Sequence, residues 1–129
     1  MLSYNIYQRR IEPGRWNFLN GYDKPAMIGE FHFGALDRGM LHTGLVATGS
    51  QEERAAAYAE YVRSALAHPA FVGAHWFQWA DQPLTGRTRD GENYNIGLVT
   101  IVDEGYAEMI EKAREVHGAA YWLRWMGEP

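Results

Sequence analysis

The sequence predicts an α/β fold with parallel strands. Three observations carry this. Short apolar runs alternate with helix-period segments, which implies parallel pairing through crossovers. Two of the runs are apolar on both faces, as strands covered on both sides are. The long polar loops follow strands, whereas the helix-to-strand turn at His68-Pro69 is short, so function is expected at the carboxyl ends of the strands.

The elements follow in order. Leu2 to Tyr7 is short and aromatic and reads as a strand. Gln8 to Asp23 carries Pro13, Gly14 and Gly21 and reads as loop with one helical turn near Trp16–Leu19. Ala26 to Phe33 is an apolar run bounded by Pro25 and Gly34, a strand buried on both faces. Residues 34–49 hold four glycines and form a long irregular loop. Ser50 with Glu53 makes a capping box for a helix from Gln51 to about His68, halted by Pro69. Its buried face is Ala55, Tyr58, Ala59, Val62, Ala65 and Leu66. Ala70 to Gln78 is the next strand, again buried on both faces, and Trp79 to Gly91 is loop. Ile96 to Val102 reads as a small extra strand. Tyr106 to about Met126 reads as one helix with Met109, Ile110, Ala113, Val116, Ala120 and Leu123 inward, Arg124 solvated and Gly127 as its stop.

Composition narrows the function classes. At 129 residues the chain is at most one ordinary domain. It has no cysteine, which removes disulfides and thiolate metal sites. A net charge of −4 argues against nucleic acid and anionic membrane as partners. No apolar run reaches the ~18–20 residues of a membrane span. No basic-then-apolar leader is read at Met1, so the sequence assigns no compartment.

Glu30 is the principal candidate. It stands near the carboxyl end of an apolar strand, after Gly29, where close approach is tolerated. A carboxylate there is either half of a buried ion pair with an arginine or a catalytic group. His32 and His75 occupy similar heights on their strands and read as groups that orient the carboxylate or a hydroxyl. A metal cluster of His32, His42, His75 and Asp37 lacks recognisable ligand spacing, and no metal or cofactor is assigned. Alternation puts Trp76 with Gln78 on one face and Phe77 with Trp79 on the other. A flat Trp beside a Gln amide suits a sugar ring. The stretch 90–97 adds carboxylates and amides, as a sugar-binding loop would and as an ordinary Asn/Asp/Gly turn would.

Three runs, KPAMIGEFHFGALDRGMLHTGL, VGAHWFQWADQPLTGR and DGENYNIGLV, resemble the carboxyl-terminal part of β-agarases of glycoside hydrolase family 50. The resemblance implies a (β/α)₈ barrel whose sixth, seventh and eighth strands lie here, so the chain is a partial barrel of about the last three βα units. It implies Glu30 as the nucleophile of a retaining mechanism and Trp76 at the subsite of the cleaved bond. Tyr7, or less directly Asn5, would bond the nucleophile. An agar or galactan oligosaccharide is the implied ligand.

A full barrel takes at least about 200 residues. A retaining glycosidase also needs a second carboxyl group ~5–5.5 Å from the first. In this clan it follows an Asn, yet no Asn-Glu dipeptide occurs; Glu92-Asn93 is reversed. The expectation is therefore a single carboxyl-terminal fragment with the nucleophile and without the acid/base, inactive alone. Open strand edges and the barrel-facing sides of Ile28 and Val72 lead to an expected homo-oligomer. The competing class is a non-catalytic carbohydrate-binding or self-assembling module.

Overall fold

The computed structural model describes residues 1–126. Strands β1 (Leu2–Asn5), β2 (Ala26–Phe31) and β3 (Phe71–Trp76) form one parallel sheet in the order β1-β2-β3. Between β1 and β2 lie the single turn α1 (Pro13–Trp16) and a 3₁₀ turn over Asn17–Gly21, slightly earlier and longer than the predicted turn. Helix α2 (Gln51–Ala67) connects β2 to β3, and α3 (Ala107–Gly118) and α4 (Ala120–Met126) close the chain.

The core lies between one face of the sheet and α2. Ala26, Ile28, Phe31 and Phe71 are buried there against Ala55, Tyr58, Tyr61 and Ala65. Phe31 stacks on Tyr61 at 4.2 Å and 6°, and the Tyr61 hydroxyl donates to the Ile6 carbonyl at 2.7 Å. Such a ring pair contributes about 0.5–1.5 kcal/mol beyond the area it buries. The helix starts at Ser50, whose side chain accepts from Glu53 N at 3.2 Å. The return bond of the box is displaced by one residue: Glu53 Oε2 accepts from Gly49 N, not from Ser50.

Four expectations change. β3 is not covered on both faces: Val72 is 62% exposed, and His75 is exposed beside it. Among the described residues no element lies over that side. Ile28 is not on the open side with Val72. It is fully buried toward α2, because it shares the face of Ala26. The region 96–102 makes isolated bridges, Ala80 to Val99 and Val99 to Gly105, rather than a strand. The backbone is tightly folded there, since a Cβ at Gly97 would sit 2.1 Å from the Val99 carbonyl oxygen. The last helix is two helices, parted at Ala119 just after Gly118, a weak helix former. Arg124 is exposed, yet its guanidinium donates to the carbonyls of Leu66, His68 and Pro69 and so caps α2. Gly127, expected as the helix stop, lies outside the described residues.

Candidate active site

Glu30 is carried by an irregularity in β2. The register with both neighbours shifts between Ile28 and Phe31, so a bulge falls at Gly29–Glu30. The close approach that Gly29 permits is made by β1. A Cβ at Gly29 would lie 2.6 Å from Ser3 Oγ and 2.8 Å from Asn5 Oδ1. The bulge leaves Glu30 partly buried at the carboxyl end of the sheet's middle strand.

Glu30 Oε2 accepts a 2.6 Å hydrogen bond from the Tyr7 hydroxyl. Burial first, then the bond to Glu30 and the charges of Glu30 and Glu92, push the Tyr7 phenol far above its ordinary value; Arg87 opposes them. Tyr7 is thus a permanent donor. Among the described residues Glu30 forms no ion pair with an arginine. The carboxylate opens on a cleft of about 290 Å³ lined by Tyr7, Glu30, His32, Leu45, Phe77, Arg87, Arg89, Asp90, Glu92 and Tyr94. A larger hollow of about 460 Å³, beside Lys24, Pro25 and Pro69, lies at the amino ends of β2 and β3. Ligand sites of parallel α/β sheets gather at the opposite end, which favours the smaller cleft.

His32 is buried, and its Nε2 accepts from Leu45 N at 2.9 Å. The ring packs on Tyr7 at 4.8 Å. Burial, aided by the charge of Arg54, holds its pKa down to about 4, while the Phe77 backbone pulls the other way. The ring is neutral and anchors the loop after β2 beneath the cleft. Its proton affinity is lower folded than unfolded, where the ordinary value is 6.5. Its stabilising contribution is therefore complete above about pH 6.5 and is lost as the pH falls toward about 4. We expect that loss to be about 2–3 kcal/mol. Urea midpoints measured at both pH values will read it, with the drop smaller in His32→Gln. Equal drops in the two proteins would remove His32 as the cause.

The other predicted residues are not all brought here. Trp76 faces the helices. Its ring lies 5.2 Å from Phe31, 5.4 Å from Tyr58 and beneath the Arg54 guanidinium, and its Nε1 donates to the Ile96 carbonyl. Phe77, the next residue along, lines the cleft in its stead. Gln78 is partly buried, donates to the Ala80 carbonyl at 3.1 Å and does not line the cleft. His75 is on the open face of β3. Asn5 pairs with Glu30 in strand register but makes no side-chain bond to it; Tyr7 does. Asp37 accepts from the backbone and side chain of Gln51 at the start of α2. His42 stacks on Tyr94 at 4.6 Å. Among the described residues no three His, Asp or Glu side chains cluster to hold a metal ion.

Sequence reasoning placed Phe77 on the wrong side and gave Leu45 and Arg89 no role. The only signal for Phe77 was its neighbour: once Trp76 packs inward, residue 77 must face the other way. Asp81, at the start of the second long loop, is an internal tie. Its carboxylate accepts from Asn95 Nδ2, Gly97 N and the Tyr106 hydroxyl.

Comparison with known proteins finds β-agarases among the similar chains. Beta-agarase B of Vibrio sp. (strain JT0107) is 47% identical over 126 residues, covering 97% of this chain and 13% of that protein. Beta-agarase A of the same organism is also 47% identical, over 94% of this chain and 13% of its own length. The solved structure of an exo-beta-agarase superposes with a TM-score of 0.93 at 49% identity, over 95% of this chain and 17% of that one. The structure of PfGH50B superposes with a TM-score of 0.93 at 46% identity over the same shares. The chain thus spans about an eighth of the curated relatives' length. No family model matches it.

Proposed function

Since this chain resembles part of a β-agarase of glycoside hydrolase family 50, we propose that it is the carboxyl-terminal portion of a retaining, agar-cleaving glycosidase. In this reading the three strands are the last three of a (β/α)₈ barrel and Glu30 is the nucleophile. The acid/base comes from the rest of the enzyme, and the ligand is a galactan or agar oligosaccharide. The hydrogen bond between Tyr7 and Glu30 in a polar cleft at the strand ends carries the reading. It holds Oε2, so Oε1 attacks the anomeric carbon. The new C–O bond forms as the bond to the leaving oxygen breaks, and the departing oxygen takes its proton from the acid.

The test avoids the acid altogether. A dinitrophenyl β-galactoside with fluorine beside the anomeric carbon needs no protonation of its leaving group. The 129-residue chain should gain the mass of one fluorosugar, on the peptide containing Glu30. An adduct elsewhere, or none at saturating sugar, overturns the assignment. Sugar binding without an adduct favours the alternative, a carbohydrate-binding module.

We also propose that the isolated chain self-associates through the open sheet face around Val72 and His75. Sedimentation should show a dimer or larger species that Val72→Asp weakens. A strictly monomeric chain refutes this.

A further inference from the structure

We propose that the loop over residues 86–92 is a specificity clamp that accepts an uncharged, hydroxyl-bearing sugar ring beside Glu30 and rejects a sulfated or carboxylated one. The proposal rests on the carbohydrate reading above and adds the residues that select the ring's chemistry.

The loop is built before any ligand arrives. Gly86 and Gly91 take φ of +87° and +75°, which side chains other than glycine's disfavour. Gly91 N donates to the Arg87 carbonyl at 2.8 Å, and Arg87 N to the Glu92 carbonyl at 2.9 Å. The Arg87 guanidinium lies 5.8 Å from the centre of the Phe77 ring. Asp90 receives its Nε and Nη2 at 3.1 and 2.6 Å, and Glu92 receives Nη2 at 2.6 Å. Buried Gln82 in turn donates to Glu92 at 2.8 Å.

What these bonds leave over defines the ligand. They use Nε–H and both Nη2 hydrogens, so the two Nη1 donors of Arg87 have no protein acceptor among the described residues. Likewise Oε1 of Glu92 receives no protein donor among the described residues. The cleft therefore offers unpaired donors and an unpaired acceptor together. A sugar hydroxyl both accepts and donates and serves both kinds; a sulfate ester or carboxylate oxygen only accepts. Charge points the same way. Glu30, Asp90 and Glu92 outnumber Arg87 and Arg89, and Arg87 is already held by two carboxylates. An anionic ring would meet a net negative cleft, a like-charge contact that discriminates by repulsion.

Calorimetric titration of the chain with a neutral agaro-oligosaccharide, and with the same oligosaccharide carrying one sulfate ester, tests this. The neutral sugar should bind at least about tenfold more tightly. Added salt should narrow the gap, because screening weakens repulsion more than hydroxyl bonding. Glu92→Gln, which keeps an oxygen for Arg87, should narrow it at low salt by about threefold. Equal affinity for the two sugars, preference for the sulfated one, a gap indifferent to salt, or no binding of either overturns the proposal. These readouts do not depend on chemistry at Glu30. A missing covalent adduct with an intact neutral preference removes the nucleophile and leaves the clamp; an adduct without the preference does the reverse.

Discussion

Glu30→Gln is expected to abolish covalent capture of the activated fluorogalactoside, slowing adduct formation by about 10⁴-fold or more. The substitution is nearly isosteric, and Gln can still accept from Tyr7 through its carbonyl oxygen, so the cleft should keep its shape and its affinity for sugar. Only the nucleophilic charge is removed. Loss of the adduct with unchanged binding is the signature of a nucleophile. Tyr7→Phe provides the contrast: it frees the carboxylate from its 2.6 Å tether and should slow capture by about tenfold without ending it. A Glu30→Gln protein that still acquires the adduct at wild-type rate would show that another group attacks.

Arg54→Ala is expected to cost about 3–5 kcal/mol of folding stability, a large part of the ~5–15 kcal/mol that domains possess. Arg54 is fully buried on the first turn of α2. It donates to the carbonyls of Phe33 and Gly97 and to Gln51 Oε1. Its guanidinium lies 5.5 Å from the Trp76 ring and 5.1 Å from the Tyr106 ring. Burial lowers its pKa to about 10, opposed chiefly by Asp81, so it remains charged at neutral pH. One side chain thus fastens both long loops to the helix. Truncation leaves three buried acceptors unpaired, a cavity between two rings, and Asp81 without its countercharge. Urea unfolding will measure the loss. Because the two charges are coupled, Arg54→Ala with Asp81→Asn should be less destabilised than the separate losses added together. A single Arg54→Ala within about 1 kcal/mol of wild type would show that the network is not needed for the fold.

By itself the sequence determined the order of elements, their parallel pairing, the start of α2 at Ser50 and its halt before Pro69, and the placing of Glu30 at a strand end. Each depends on periodicity, a cap or a breaker within a few neighbouring residues. Tertiary structure alone decided the bulge at Gly29–Glu30 and the 2.6 Å geometry by which Tyr7, the partner the sequence already prefers to Asn5, reaches the carboxylate. It also decided that Phe77, not Trp76, walls the cleft. Trp76 turns inward because its ring covers Arg54 and its N–H meets the Ile96 carbonyl, partners far along the chain. The same holds for Arg54, Asp81, Asn95 and Tyr106, which read as loop and helix polar residues until folding buries them together. A buried polar group must find a partner wherever the chain supplies one, and no local pattern records that search.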